Sequence, residues 1–191
     1  FLHEIEIPDR VLTEVQRVVI LACGTSWHAA LVGKFLLERL ARLYVEVDYA
    51  SEYRYRECMN DDTTAVLAIT QSGETVDTLA AMEQARHQQT ALWSIVNAIG
   101  SQAMRMADGH VTMNAGPEIG VASTKAFTAS IVAQYLLALY LAQLRQTLPP
   151  EQIAGYVSDL TYLPGLVSQA LELEPSIREI AAWLKDYQNV L

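Results

Sequence analysis

The stretch Ala65-Val66-Leu67-Ala68-Ile69-Thr70-Gln71-Ser72-Gly73-Glu74-Thr75 decides the fold. Six residues of strand-forming, apolar character run into a hydroxyl-rich turn, and a helical pattern starts immediately after it. Parallel strands buried on both faces read as continuous apolar runs of this kind, without alternation. The turn has its own chemistry. Thr70, Gln71, Ser72 and Thr75 can each donate a hydrogen bond, Gly73 lets the backbone approach a ligand closely, and a new helix offers unpaired N–H groups and a positive dipole end. No Lys or Arg lies in the loop, so an anion would be held by neutral donors and the helix terminus. That suits a sugar phosphate better than a triphosphate. Neither the GxxxxGK[ST] spacing of a nucleotide P-loop nor a GxGxxG dinucleotide fingerprint occurs.

Four further apolar runs, Arg17 to Ala22, Tyr44 to Asp48, Ala91 to Asn97 and Gly109 to Met113, read as strands. Helical stretches at 26–42, 75–88 and 101–106 separate them, with one or two helical turns near 51–56 that carry the Tyr53 and Tyr55 pair. The order predicts a doubly wound, five-stranded parallel α/β sheet flanked by helices. Beyond it, 123–146 reads as a very apolar helix ended by Pro149-Pro150. Two more helices are expected at about 151–171 and 175–186, the first interrupted at Pro164-Gly165. These extra C-terminal helices, about 149–188, would cover the sheet or form a partner-facing bundle. Residues 1–16 read as a linker and 17–191 as one domain. Because the chain opens on Phe1 and closes on Asn189-Val190-Leu191, which reads as the beginning of a strand, we expect an excised fragment.

The chain has 191 residues and a net charge of −9, which argues against a nucleic-acid backbone as partner. With 51% hydrophobic and only 18% charged residues it is not generally disordered. The longest uninterrupted apolar run, Tyr135 to Ala142, is far short of the roughly 20 residues of a membrane span. No membrane partner and a cytoplasmic location are therefore expected. Cys23 and Cys58 show no zinc or disulfide spacing. They read as reduced thiols, and no metal or cofactor is expected.

The first strand ends in Ala22-Cys23-Gly24-Thr25-Ser26, so the hydroxyl-rich strand-to-helix turn occurs twice. Ser and Thr are ordinary helix N-caps, and either turn alone says little. In a doubly wound sheet, however, two such loops can face one crevice at the carboxyl ends of the strands. A third element, Asn114-Ala115-Gly116-Pro117-Glu118-Ile119-Gly120-Val121-Ala122-Ser123-Thr124-Lys125, is glycine-punctuated and leaves backbone N–H groups near Val121 to Ser123 open to a ligand.

Together with Gln71 to Leu79, these segments resemble the sugar isomerase (SIS) family. More narrowly, they are similar to the first of two SIS domains in the glutamine:fructose-6-phosphate aminotransferases, also called glucosamine-6-phosphate synthases, and Ala50 to Arg56 fits the same pattern. The resemblance implies binding of fructose 6-phosphate or glucosamine 6-phosphate. Thr70, Gln71, Ser72 and Thr75 would hold the phosphate, Cys23 and the Gly24, Thr25 and Ser26 turn would meet the sugar, and Val121, Ala122 and Ser123 would close over it. Thr70 stands where the family usually has serine and keeps the hydroxyl. The family reaction takes ammonia from glutamine, forms an imine at the ketose and isomerises it to an aldose amine. Its acid and base groups, a glutamate, a histidine and a lysine, belong to a second SIS domain and a C-terminal tail. No catalytic residue is therefore expected in this fragment, and Cys23 is not the nucleophile of the glutaminase domain. The implied partners are the phosphorylated hexose, the second SIS domain, the glutaminase domain and a second copy in a homodimer.

Several other residues read as supporting ones. Lys125 reads as a solvated charge, Glu118 as a loop-shaping carboxylate, Glu74 as pointing outward in the first turn of its helix, and His28 as a surface or packed side chain. Asp77 and Thr78 read as loop supports. Two rival functions use the same fold: a non-catalytic sugar-phosphate sensor, and a stand-alone aldose-ketose isomerase.

Overall fold

The computed structural model describes residues 5–88 and 90–189. Val190 and Leu191, read above as the start of a strand, lie outside them. The chain divides into two compact units, at Leu148 and Pro149. In the first, a short helix α1 (Asp9–Glu14) precedes β1 (Arg17–Ala22), α2 (Thr25–Leu36), β2 (Tyr44–Tyr49), α3 (Ala50–Tyr53), β3 (Thr64–Thr70), α4 (Val76–His87), β4 (Ala91–Val96), α5 (Gln102–Met106), β5 (Gly109–Thr112) and α6 (Lys125–Leu144).

All five strands are parallel, in the order β2-β1-β3-β4-β5. The winding reverses between β1 and β3, whose register pairs Leu21 with Ala68. Apart from Arg17, Thr64 and Thr70 at their ends, both strands are apolar because both faces are covered. On one face Val19, Leu21, Val66 and Ala68 pack with Tyr53 of α3, Met82 and Ala85 of α4 and Ala103 of α5. The alternate residues Val18, Ile20 and Ala22 point to the other layer, where α2 and α6 pack on the sheet and on each other.

The crossing of α2 and α6 explains why α6 is so apolar. The helix has the length and composition to cross a membrane, yet Ala133, Leu137, Ala138, Leu141 and Ala142 are buried against α2 and the sheet. Gln134 is 0% exposed and donates Nε2 to the carbonyl of Ala29 at 3.1 Å and to that of Ser130 at 3.2 Å. A Cβ on Gly33 would sit 1.6 Å from Gln134 Oε1, so the close approach of the helices requires glycine there.

Three local features depart from the sequence reading. Residues 9–14, read as linker, form α1, with Leu12 and Val15 buried. The helix read as 26–42 is α-helical only to Leu36, and Leu37–Ala41 is a π-helical turn ending at Arg42, whose φ is +55°. Tyr53 and Tyr55 are not a pair: Tyr53 is buried, while Tyr55 is exposed under the Arg54 guanidinium, 5.0 Å from its ring centroid.

The second unit consists of α7 (Pro150–Leu171) and α8 (Glu174–Leu184). The expected interruption at Pro164 is absent, since α7 runs through it as one helix. Pro164 is exposed there, so water can serve the Leu160 carbonyl that the missing N–H leaves free. In α8, Glu174 and Arg178 pair one turn apart, and the rings of Trp183 and Tyr187 lie 5.4 Å apart.

Candidate functional site

The crevice at the carboxyl ends of β1 and β3 is where a doubly wound sheet places ligands. A cavity of about 360 Å³ opens there, within the range of roughly 300–1,000 Å³ usual for small-molecule sites. It is lined by Cys23, Gly24, Thr25 and Ser26 after β1, by Ile69, Thr70, Gln71, Ser72, Thr75 and Thr78 around the β3 turn, and by Gly120, Val121 and Ser123 from the loop before α6. Ten of the eleven residues read from the sequence therefore meet in one cavity. The eleventh, Ala122, is not among the lining residues: the loop folds back so that its side chain is exposed and its carbonyl lies beside Gly120. Gly120 takes the lining position instead, and the buried Thr78, read only as a support, also reaches the cavity.

The β3 turn is built so that its hydroxyl hydrogens stay free. Thr70 is 3% exposed, and its Oγ1 accepts the N–H of Gly73 at 3.2 Å. Ser72 Oγ accepts the N–H of Glu74, also at 3.2 Å. A hydroxyl that accepts one backbone bond still has its own proton to donate, and only a 3.5 Å contact between Thr70 and Thr75 competes for it. Gly73 makes the turn with φ +68° and packs on Ser101: a Cβ there would lie 2.0 Å from Ser101 Oγ. That glycine is obligatory on two counts.

Helix termini complete the site. Thr75 is the N-cap residue of α4 and its side chain does not bond the helix, while α2 starts at Gly24, at φ +56°, which has no side chain to cap with. Two twelve-residue helices thus point N-termini free of a cap-residue bond at one cavity, a concentration of positive partial charge and N–H donors. Among the described residues, no Lys, Arg, His, Asp or Glu lines it. Any anion it holds meets only neutral donors.

The acidic residues nearby are engaged elsewhere. Glu74 precedes the Thr75 N-cap rather than lying in the first turn of α4, and its Oε1 accepts the N–H of Gln102 at 2.7 Å. Asp77 pairs with Arg54 at 2.9 Å. Glu118 bonds the start of α6, and the Ala126 N–H, then the Thr124 N–H and hydroxyl and nearby Lys125, hold its carboxyl below the usual glutamate range. Lys125 is exposed at the first position of α6. His28 is exposed, edge-on to the Trp27 ring, which stacks on Tyr49 at 4.4 Å.

A second cavity of about 450 Å³ lies at Arg17, Glu46, Asp48, Tyr53 and residues 56–60, where the short α3 leaves part of the sheet uncovered. Most of its charges are paired: Arg17 with Glu46, and Arg56 with both Asp48 and Glu46. Burial pushes the Tyr53 hydroxyl up to about 12, and it raises the Cys58 thiol as well. The larger cavity thus has mostly paired charges, with Arg17 Nε a donor left without a partner among the described residues, while the smaller one is lined by neutral donors alone. Cys23 and Cys58 are both free thiols.

The architecture is that of a doubly wound α/β domain with its ligand crevice at the switch point between β1 and β3. The SIS domain family matches residues 11–140, and the chain belongs to that family. It is similar to glutamine–fructose-6-phosphate aminotransferase [isomerizing] of Streptomyces coelicolor, with 45% identity over 190 residues, covering 100% of this chain and 31% of that protein. The namesake protein of Chlorobaculum tepidum is 45% identical over 180 residues, 94% of this chain and 29% of that one. The chain therefore spans under a third of the length of these relatives. Among solved structures, the C-terminal domain of glucosamine-fructose-6-phosphate aminotransferase from Francisella tularensis superposes with a TM-score of 0.90 at 36% identity, over 93% of this chain and 50% of that one. A protein from Clostridium difficile 630 superposes with a TM-score of 0.72 at 19% identity, over 92% of this chain and 49% of that one, a likeness of fold alone.

Proposed function

We propose that the crevice binds a phosphorylated hexose, fructose 6-phosphate or its amino-aldose product glucosamine 6-phosphate, and that the chain is a sugar-phosphate-binding part of the isomerase half of an aminotransferase. The observation that carries this reading is the pairing of the open α2 and α4 N-termini with the free hydroxyl protons of Thr70, Ser72 and Thr75 in one cavity that contains no charged side chain. A phosphate dianion in the β3 turn takes those donors, and the sugar extends toward Gly24, Thr25, Ser26, Val121 and Ser123. The similarity to the two aminotransferases supports the choice of ligand.

Isomerising a ketose imine to an aldose amine requires a group that removes a proton beside the imine carbon and one that returns it. Cys23 is the only ionisable side chain among the described residues lining the cavity. The crevice accordingly binds and orients, and the acid and base come from other parts of the assembled enzyme, with a second copy of the chain as partner. A binding-only sensor would use the same crevice. A stand-alone isomerase would need a second copy of the chain to bring the proton-transfer groups, since Cys23 alone among the described lining residues is ionisable.

Calorimetric titration of the chain with fructose 6-phosphate and with fructose tests the proposal. Saturable binding of the phosphorylated sugar alone is expected, whereas equal or absent binding of both would overturn it. Incubation with fructose 6-phosphate and assay for aldose formation separates the isomerase alternative, which alone predicts product.

A further inference from the structure

The side chain of Thr124, the N-cap residue of α6, makes no capping bond. The cap comes from Glu118, six residues upstream. One carboxylate oxygen accepts the N–H of Thr124 at 3.1 Å and that of Ala126 at 3.2 Å, and the Thr124 hydroxyl donates to the other at 3.3 Å. The intervening segment, residues 119–123, is thereby closed at its base. Three of its five residues, Gly120, Val121 and Ser123, line the crevice.

This segment has no apolar anchor of its own: Ile119 is 95% and Val121 105% exposed. Upstream it is held by Asn97, which accepts the N–H of Ala115 at 2.9 Å and donates to the carbonyl of Gly116 at 2.8 Å. Downstream it is held by Glu118. The carboxylate also fills the N-terminus of a twenty-residue helix that would otherwise attract an anion. At α4, by contrast, the Thr75 side chain makes no capping bond, and Gly24 at the start of α2 has no side chain.

We propose that Glu118 is the positioning residue of the ligand loop: by capping α6 across residues 119–123 it holds Gly120, Val121 and Ser123 against the sugar and directs the phosphate to the β3 turn, without touching the ligand. The inference rests on the reading of the crevice as a sugar-phosphate site. It separates two jobs that one carboxylate performs, stabilising a helix and shaping a loop, and a cap supplied from the N-cap position itself would do only the first.

The test compares Glu118→Ala, Glu118→Gln and the double variant Glu118→Ala/Thr124→Asp, which restores both the cap and the charge without closing the loop. Fructose 6-phosphate and inorganic phosphate are titrated into each, thermal stability is recorded, and backbone order parameters are measured for residues 119–123. Glu118→Ala should bind fructose 6-phosphate about tenfold more weakly, because the sugar must then order a loop that is no longer held, while inorganic phosphate keeps its affinity for the β3 turn. Glu118→Gln, which keeps a carbonyl acceptor, should fall between. The double variant should regain thermal stability but neither sugar-phosphate affinity nor loop order.

Parallel loss of both ligands, full recovery of affinity in the double variant, or loop order equal in all proteins would each overturn the proposal. If the unaltered chain binds neither ligand, the sugar-phosphate reading fails. The order parameters then still decide whether Glu118 pins the loop.

Discussion

Replacing Gly73 by alanine perturbs the candidate site at a residue where both the backbone and the packing oppose a side chain. The backbone there has φ +68°, a conformation that costs an L-residue about 1–2 kcal/mol. The new Cβ would lie 2.0 Å from Ser101 Oγ, 2.4 Å from Ser101 Cβ and 3.1 Å from Val96 Cγ2. Ser101 is only 6% exposed and cannot swing away, so a further ~1–3 kcal/mol of overpacking is expected. Reduced entropy of the unfolded chain returns roughly 0.4–1 kcal/mol. The net expectation is about 1–5 kcal/mol of destabilisation, read as a lower urea midpoint at unchanged m-value. Fructose 6-phosphate affinity should fall as well, because the turn shifts Ser72 and Thr75. The variant Gly73→Ala/Ser101→Gly removes the serine clash but not the backbone strain or the Val96 contact, and should recover about half of the loss. A Gly73→Ala chain as stable as the original that still binds the sugar phosphate would refute this account of the turn.

Other outcomes follow from the same geometry. Ser72→Ala and Thr75→Ala should each weaken fructose 6-phosphate binding by about 1–3 kcal/mol, as for hydrogen bonds to a charged acceptor, measured by titration with the fold checked by circular dichroism. Gly33→Ala should destabilise the chain by ~1–3 kcal/mol in urea despite alanine's better helix propensity, because Gln134 is anchored where the methyl must go. Burial raises the Tyr53 hydroxyl to about 12, with Asn60 donating to it at 2.8 Å. The folded state therefore keeps a proton that the unfolded chain loses near pH 10, and stability contributed by this group falls as pH rises from about 10 to 12. Tyr53→Phe should remove that part of the alkaline loss. Alkylation of Cys58 should need a higher pH than an ordinary thiol does, because burial raises it.

The inner strands β1, β3 and β4 were legible because a parallel strand covered on both faces is apolar along most of its length, while the edge strands β2 and β5 show only short Val-containing runs beside Glu46, Asp48 and His110. The crevice was legible for a related reason. A hydroxyl-rich turn after each of two strands gains meaning only when winding reverses between them; the runs implied a doubly wound sheet, and the strand order β2-β1-β3-β4-β5 places the reversal there. What escaped the reading depends on contacts that leave no local periodicity. Helix α1 has six residues and one buried position, Leu12, too short to show a 3.6-residue repeat. The π-helical turn at Leu37–Ala41 uses residues that would serve equally in an α-helix. Pro164 normally signals a break, but an exposed helix tolerates it. The Glu118 cap spans six residues rather than the three of a capping box, so no motif reveals it, and the same fold-back exchanges Ala122 for Gly120 on the cavity wall.

Amide chemical-shift mapping with fructose 6-phosphate tests the central claim most directly, because it lets the ligand choose between the two cavities. The largest shifts should fall on residues 24–27 and 71–77, the open ends of α2 and α4, with smaller ones at 120–123. Shifts centred on Arg17, Glu46 and residues 56–60, or none at the β3 turn, would contradict the claim that neutral hydroxyls and helix N-termini hold the phosphate.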